Sequence, residues 1–389
     1  MKKSLLLLVL IFSAFTGFGQ GTWTQKTSCP ATARYRCIAF VVNGNCYIGT
    51  GSTGSTNTQK DIWEYDVAND TWSQKADFPG DPRINATACA SGGYGYVGLG
   101  ANNSILQNDW YQYDPIANGW AQKSEFAGGK RFGSFAFELS GRIFVGGGLD
   151  SSQSTALNTM YAYDPVNDSW GPKANIPLGV SSPASFVMNG KAYVVTGALN
   201  GSTIATTQNV EYDATNDTWT PLAAYPPGNT FSAFGFSLNG YGYVGTGFTG
   251  SLTDVVYRYD RVSDMWTQET SWPTGIRQWT VSASTGTQAF VGTGNSTGGN
   301  LYNDWWEFNA AVSTSIDGAS SNAIVYYDAA SQDIVIKNMT GNSSVRMFSS
   351  DGKLVLDKEV SANSRIPFTG QGIYLLSLDG KQVRKLFID

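Results

Sequence analysis

Arginine recurs at one register of a repeating chain. Arg34, Arg83 and Arg131 align, Val180 and Thr230 hold that position in the next two units, and Arg277 falls one place off in the sixth. Tyr35, Phe132, Phe231 and Trp279 stand beside them. A guanidinium is a planar fork of donors, charged at any relevant pH and suited to carboxylate or sulfate; an indole adds a stacking surface for a sugar ring. Arg34, Arg83, Arg131, Arg277 and Trp279 are therefore candidate binding residues for an anionic or hydroxyl-rich ligand. The alternative is structural, with the arginines bonding loop carbonyls. Asp61, Asp109, Asp254 and Asp304 lie on the same side and suit loop capping or pairing with arginine better than metal binding.

The chain has no histidine. That excludes Ser-His-Asp and Cys-His catalysis and histidine-based metal sites. Catalysis here needs carboxylates, Arg, Lys or Tyr, and Glu138 is the one acid near an inner strand. The reading assigns no catalytic residue, no metal and no cofactor. Net charge is −5 with no basic cluster, so a nucleic-acid partner is not expected. Four cysteines permit three disulfide pairings. Turn geometry at Asn43-Gly44 sets Cys46 opposite Val41, level with Cys89 of the next unit. The expected bridges are therefore Cys46–Cys89 and Cys29–Cys37, with buried free thiols as the alternative.

The elements that position these residues are short strands. Gly (45) and aromatics (13%) are abundant, whereas charged residues make up only 14%. Tyr-Asp followed by Trp recurs at Tyr65, Tyr113, Tyr163, Tyr212 and Tyr259, and the Trp spacings are 48, 50, 49 and 47 residues. A Gly-bounded strand precedes each, and a sixth unit carries the strand Gly286–Gly294. Each unit parses as four strands: in the third, Phe132–Leu139, a Ser140-Gly141 turn, Arg142–Gly147, then Thr159–Tyr163 and an edge strand at Trp170. Four strands in such a repeat is the size of one propeller blade. The sixth unit reaches Phe308 without a following Trp, while Gly21–Lys26 matches the outer strands at Trp72 and Trp120. The N-terminal strand is expected to complete blade six.

From Trp23 to Phe308 these residues resemble the Kelch repeat, although its Gly-Gly doublet is complete only at Gly146-Gly147-Gly148. Asn69-Asp70-Thr71-Trp72 resembles a sialidase Asp-box, but the Gly inside that box is missing in most repeats. The fold expected is all-β: a six-bladed Kelch-type β-propeller closed by the N-terminal strand, plus a small C-terminal β-sandwich domain. The 2–3 loops are long and polar, as in Ser52–Lys60, Leu149–Asn158 and Ala198–Gln208, and share a face with the 4–1 loops. Function concentrates on such loops, so that face is the expected binding face.

Residues 1–19 read as a signal peptide: Lys2 and Lys3, the apolar run Leu5 to Phe15, and Gly17-Phe18-Gly19 before Gln20. The apolar run is far short of a membrane span. The propeller is placed at 20–312, a Ser/Thr/Gly-rich linker at 313–322 and a β domain at 323–389. In that tail, Ser350 to Val355, Gly372 to Ser377 and Lys385 to Ile388 resemble the type A C-terminal sorting domain of bacterial type IX secretion, with Asp328-Ala329 where the family has Asn-Pro. The resemblance implies export through the periplasm to the cell surface or medium, the secretion machinery as partner, and a tail without activity. Two functions follow. The first is a non-catalytic binding module for a glycan or protein ligand on the long-loop face. The second is a carbohydrate-active enzyme similar to the periplasmic Kelch sialic-acid mutarotases, which requires a carboxylate and an Arg converging at the axis.

Overall fold

The second strand of every repeat is apolar on both faces, as in Ile143, Phe144 and Val145, all at most 2% exposed. A strand buried on both faces needs a sheet packed on each side. A computed structural model describes residues 20–54, 57–201, 204–310, 324–328, 331–337, 343–349, 353–361, 364–378 and 382–388. The signal peptide at 1–19 and the linker at 313–322 lie outside these residues. The described residues form two compact units, the first spanning 20–310 and the second drawn from 324–388.

The first unit consists of six four-stranded antiparallel sheets. Blade one runs Ile38–Val42, Asn45–Gly49, Ile62–Asp66 and Thr71–Lys75; blade three runs Phe132–Leu139, Arg142–Leu149, Met160–Asp164 and Ser169–Lys173. The first strands of successive blades adjoin one another around the ring, blade six meeting blade one. Two-residue turns join strands one and two. Asn43-Gly44, Asn189-Gly190 and Asn239-Gly240 are left-handed at both positions, the conformation a twisted hairpin demands.

Six apolar clusters fill the six blade interfaces. Blade one packs on blade two through Phe40, Tyr47 and Phe78 against Val97 and Tyr113. Blade six packs on blade one through Phe290 and Trp305 against Cys46 and Tyr65. Along each inner strand alternate side chains serve the preceding and the following interface.

This alternation corrects the disulfide expectation. All four cysteines are free thiols. Val41 does pair with Cys46. However, Cys46 points into the interface of blades six and one, and Cys89 into that of blades two and three. Two whole sheets separate them. Cys29 and Cys37 share the first cluster but stay unbonded. Burial pushes the Cys29, Cys37 and Cys89 thiols up to about 12. They behave as small hydrophobes rather than as reactive thiols.

The ring closes as the sequence reading expects. Thr22–Lys26 pairs antiparallel with Trp305–Asn309, Thr22 opposite Asn309 and Lys26 opposite Trp305. In the other blades the outer Trp donates its indole N–H to a carbonyl of the preceding blade: Trp72 to Thr27, Trp120 to Ala76, Trp170 to Ser124, Trp219 to Ala174 and Trp266 to Ala223. Trp23 does the same for blade six, donating to Thr270 O at 3.2 Å. Its ring packs on Trp272 and Phe308 at 4.9 and 4.8 Å.

The second unit holds a three-stranded sheet (Ile324–Asp328, Asp333–Lys337, Arg365–Pro367) and a four-stranded one built on Ser343–Ser349, with Leu354–Val360, Gly372–Leu378 and Gln382–Ile388. Ile334, Ile336 and Ile366 of one sheet share a core with Val345, Met347, Val360 and Leu376 of the other. This is the expected small sandwich, with Ile324–Asp328 as a strand the sequence reading did not single out. Among the described residues no helix is long and apolar enough to cross a membrane.

Closure can be measured. Trp23 is half-buried, so Trp23→Ala is expected to cost about 2–3 kcal/mol, below the value for a full core Trp. Deleting Gly21–Lys26 is expected to lower the melting temperature of the whole ring; an unchanged melt in the deletion rules this closure out.

Candidate functional site

The four arginines of the sequence reading occupy one register, Arg277 included. Each donates from Nη1 to a carbonyl sixteen residues on: Arg34 to Thr50, Arg83 to Leu99, Arg131 to Gly147 and Arg277 to Thr293, at 2.9–3.1 Å. The one-place offset assigned to Arg277 is therefore corrected: it follows Trp266 at the same spacing at which Arg34, Arg83 and Arg131 follow Trp23, Trp72 and Trp120. Three of them make bidentate pairs with aspartates that open third strands. Arg34 binds Asp61 at 2.5 and 2.8 Å, Arg83 binds Asp109 at 2.5 and 2.8 Å, and Arg277 binds Asp304 at 2.6 and 2.8 Å. The Arg34 guanidinium, with the Trp63 indole, holds Asp61 below the usual carboxylate range despite partial burial.

The ligand-arc reading of these residues is overturned by burial. Side chains of Arg34, Arg83, Arg131 and Arg277 are at most 3% exposed. Their terminal nitrogens are spent on aspartate, threonine hydroxyls and backbone carbonyls. Their carbonyls are also spent: Gly51 N donates to Arg83 O, Gly100 to Arg131, Gly148 to Val180, Gly197 to Thr230, Gly247 to Arg277, and Gly294 to Arg34. This set of six bonds ties each blade to the next and closes on blade one. The arginine register is inter-blade scaffold.

Arg131 departs from its fellows. Thr159 stands where the others meet Asp, accepting from Nη1 at 3.1 Å, and burial without a carboxylate lowers the Arg131 pKa to about 10.

Two residues beyond the arginine register lies a second ring, facing the propeller axis. Arg36, Asn85, Gly133, Ser182, Ser232 and Trp279 come one from each blade, all left-handed with φ between 49 and 68°. Their backbones are chained: Asn85 N donates to Arg36 O, Gly133 to Asn85, Ser182 to Gly133, Ser232 to Ser182 and Trp279 to Ser232, at 2.7–3.1 Å. At Gly133 an added Cβ would lie 2.4 Å from Ser181 Oγ, so a larger residue there would displace that serine. Left-handed backbone is ordinary for Gly and tolerable for Asn, but a genuine outlier for a bulky residue such as Trp279.

These six residues surround a cavity of about 140 Å³ at the axis. Arg36 is its only cation. The Arg36 guanidinium carbon lies 4.0 Å from the centre of the Trp279 ring and 5.3 Å from that of Tyr35, and the two rings are 5.5 Å apart. Unlike the scaffold arginines it meets neither carboxylate nor carbonyl among the described residues. Burial lowers its pKa, with the Tyr35 hydroxyl opposing, and its Nε is a buried donor without a partner among the described residues. Ser232 Oγ is a second orphaned buried polar atom on the same wall. Of the candidates named from sequence, Trp279 alone lines this site. Arg36 was missed because the aligned arginines drew attention two residues upstream. The signal was present nonetheless: Asn85, Gly133, Ser182 and Ser232 are small or polar residues suited to left-handed backbone, and Arg36 and Trp279 break that pattern.

With that geometry in hand, the comparisons fall into place. Residues 131–174, essentially blade three, match the Kelch motif. No curated protein matches the chain. Among solved structures the chain is similar to the one titled "Structure of YjhT", with a TM-score of 0.63 and 20% identity over 72% of this chain and 96% of that one. At that identity the likeness establishes the fold alone: the first unit is a β-propeller, with the Kelch motif matched in its third blade.

Scaffold roles predict stability effects. Arg83→Ala strands the Asp109 carboxylate and breaks the Leu99 tie, an expected loss of about 3–5 kcal/mol in chemical denaturation. Thr159→Asp supplies Arg131 with the missing carboxylate and is expected to stabilise by about 1.5 kcal/mol. The Arg34–Asp61 pair contributes stability above the unfolded Asp pKa and loses it as pH falls through the depressed folded value. Asp61→Asn should therefore flatten the acid limb of the melting curve below about pH 4.

Proposed function

We propose that the chain is a secreted or cell-surface, non-catalytic binding module whose propeller takes an anionic group, carried on a glycan or a protein, at the axial mouth. The observation that carries this reading is Arg36. A guanidinium largely withdrawn from water with no carboxylate partner is costly, and a ligand anion would offset that cost. Its flanking Tyr35 and Trp279 rings fix the fork and offer an apolar face to a sugar ring. An acidic protein, with a sequence pI near 4.9, gains little from long-range attraction of anions, so recognition rests on this local charge.

The enzymatic alternative asks an arginine and a carboxylate to converge at the axis. Glu138, the one acid on an inner strand, sits at the register of Val41, five residues along from Arg36. That is roughly 16 Å of extended chain, at the other end of the strand. The geometry favours binding over catalysis.

Export belongs to the same proposal. The C-terminal sandwich serves as a type IX sorting address, the secretion machinery being its partner, and the N-terminal residues direct the chain to the periplasm. A chain ending at Val312 is then expected to accumulate in the periplasm; normal amounts of it outside the cell would remove the sorting role.

The binding reading is tested on an array of sulfated, carboxylated and neutral glycans. Anionic glycans are expected to be retained. Arg36→Ala should weaken them by about 10- to 100-fold, the loss of one hydrogen bond to a charged partner, at an unchanged melting temperature. Equal retention of neutral glycans, or an Arg36→Ala variant that binds normally, refutes the site.

A further inference from the structure

On the opposite face, where the turns are short, two blade interfaces lack an aromatic stack that the others share, and in one of them, that of blade six, the position facing Phe290 is Ala283. In four blades the inner strand stacks a Phe on the aromatic residue paired with it: Phe40 on Tyr47, Phe137 on Phe144, Phe186 on Tyr193 and Phe236 on Tyr243, at ring distances of 5.0–5.3 Å. In blade two the position facing Tyr96 is Cys89. Two residues on, Ser91 replaces the Leu139, Met188 or Leu238 of other blades. Beside this gap lies a cleft of about 620 Å³, lined by Ser91, Tyr96, Gln112, Glu138, Val41 and Val166.

Glu138 sets the chemistry. Val41, Ala90, Val187, Ser237 and Ser284 hold its position in the other blades, so of the two interfaces that lack the Phe only this one carries a carboxylate there. It accepts one hydrogen bond, from Gly141 N at 2.6 Å, and forms no ion pair among the described residues. Its charge reaches into the interface, where it adds to the burial that raises the Cys89 thiol. Around it the walls are aromatic and aliphatic. Tyr96 has its hydroxyl engaged by Gln112 Nε2 at 2.7 Å, and Val166 stands 91% exposed at the rim.

We propose that this cleft is a docking pocket for a lysine side chain of a partner protein, the ammonium on Glu138 and the stem along Tyr96, Val41 and Val166. A single uncompensated carboxylate selects a cation. The aliphatic walls match a four-carbon stem better than a sugar ring, whose hydroxyls would meet few free partners. The site lies on the other face from Arg36 and stands independently of the function proposed above.

The test titrates the mature protein with Nα-acetyl-lysine methylamide, followed by NMR shift changes. Saturation in the millimolar range is expected for so small a probe. The Nε-acetylated analogue, which lacks the charge, should bind at least tenfold more weakly. Glu138→Gln should weaken the lysine probe tenfold or more, and Arg36→Ala should leave it unchanged. Cys89→Phe, restoring the aromatic stack, should abolish binding without lowering the melting temperature; if that variant fails to fold, Glu138→Gln alone decides. Equal binding of the charged and acetylated probes, no loss in Glu138→Gln, or glucosamine binding in place of the lysine probe overturns the proposal.

Discussion

A propeller blade cannot stand alone, because its sheet is apolar on both faces and each face must be covered by a neighbour. Six blades satisfy that need only if the ring shuts, and two sets of bonds shut it. At the axis, a glycine N–H at the end of each second strand donates to the carbonyl of the arginine register in the next blade, ending with Gly294 on Arg34. At the rim, each outer Trp donates to a carbonyl of the preceding blade, ending with Trp23 on Thr270. Because Trp23 comes from the N-terminal strand, the ring is sealed by pairing residues from opposite ends of the propeller, Thr22 with Asn309.

This constraint explains why arginine is buried at all. A guanidinium can serve two carbonyls and a carboxylate at once, and so can anchor a loop, a strand end and the start of a third strand together. Arg34 and Arg83 do this with Asp61 and Asp109, while Arg277 joins Asp304 to one carbonyl and the Thr274 hydroxyl. Removing either partner strands a buried charge, which makes the register demanding. Once the scaffold arginines are satisfied internally, Arg36 stands out by contrast. It has the same side chain at the same end of the blade but is left with aromatic rings and neither acid nor carbonyl among the described residues.

The two sites arise from the same device, a repeat that departs from its own rule. At the axial mouth, Arg36 and Trp279 replace the small residues of the left-handed ring. On the opposite face, Cys89 and Ser91 replace large apolar residues, and Glu138 replaces a small or aliphatic one. A repeat scaffold lends itself to this, since each blade makes the same backbone bonds whatever its local side chains.

Much of this was legible in the sequence. The Tyr-Asp…Trp spacing fixed the blade count, and the absent sixth Trp pointed to Trp23, because period-two strands and two-residue turns leave little freedom of register. The exclusion of histidine chemistry also needed only composition. What the sequence could not decide was direction. Val41 opposite Cys46 was correctly paired, yet which sheet face Cys46 and Cys89 presented depended on how the sheets stack, and that separated them. Similarly, the alignment found the arginine register but not that neighbouring blades consume it. Arg34, buried in the scaffold, and Arg36, whose fork faces the axial cavity, are two residues apart in sequence, and only the closed ring assigns one inward to the scaffold and the other to the mouth.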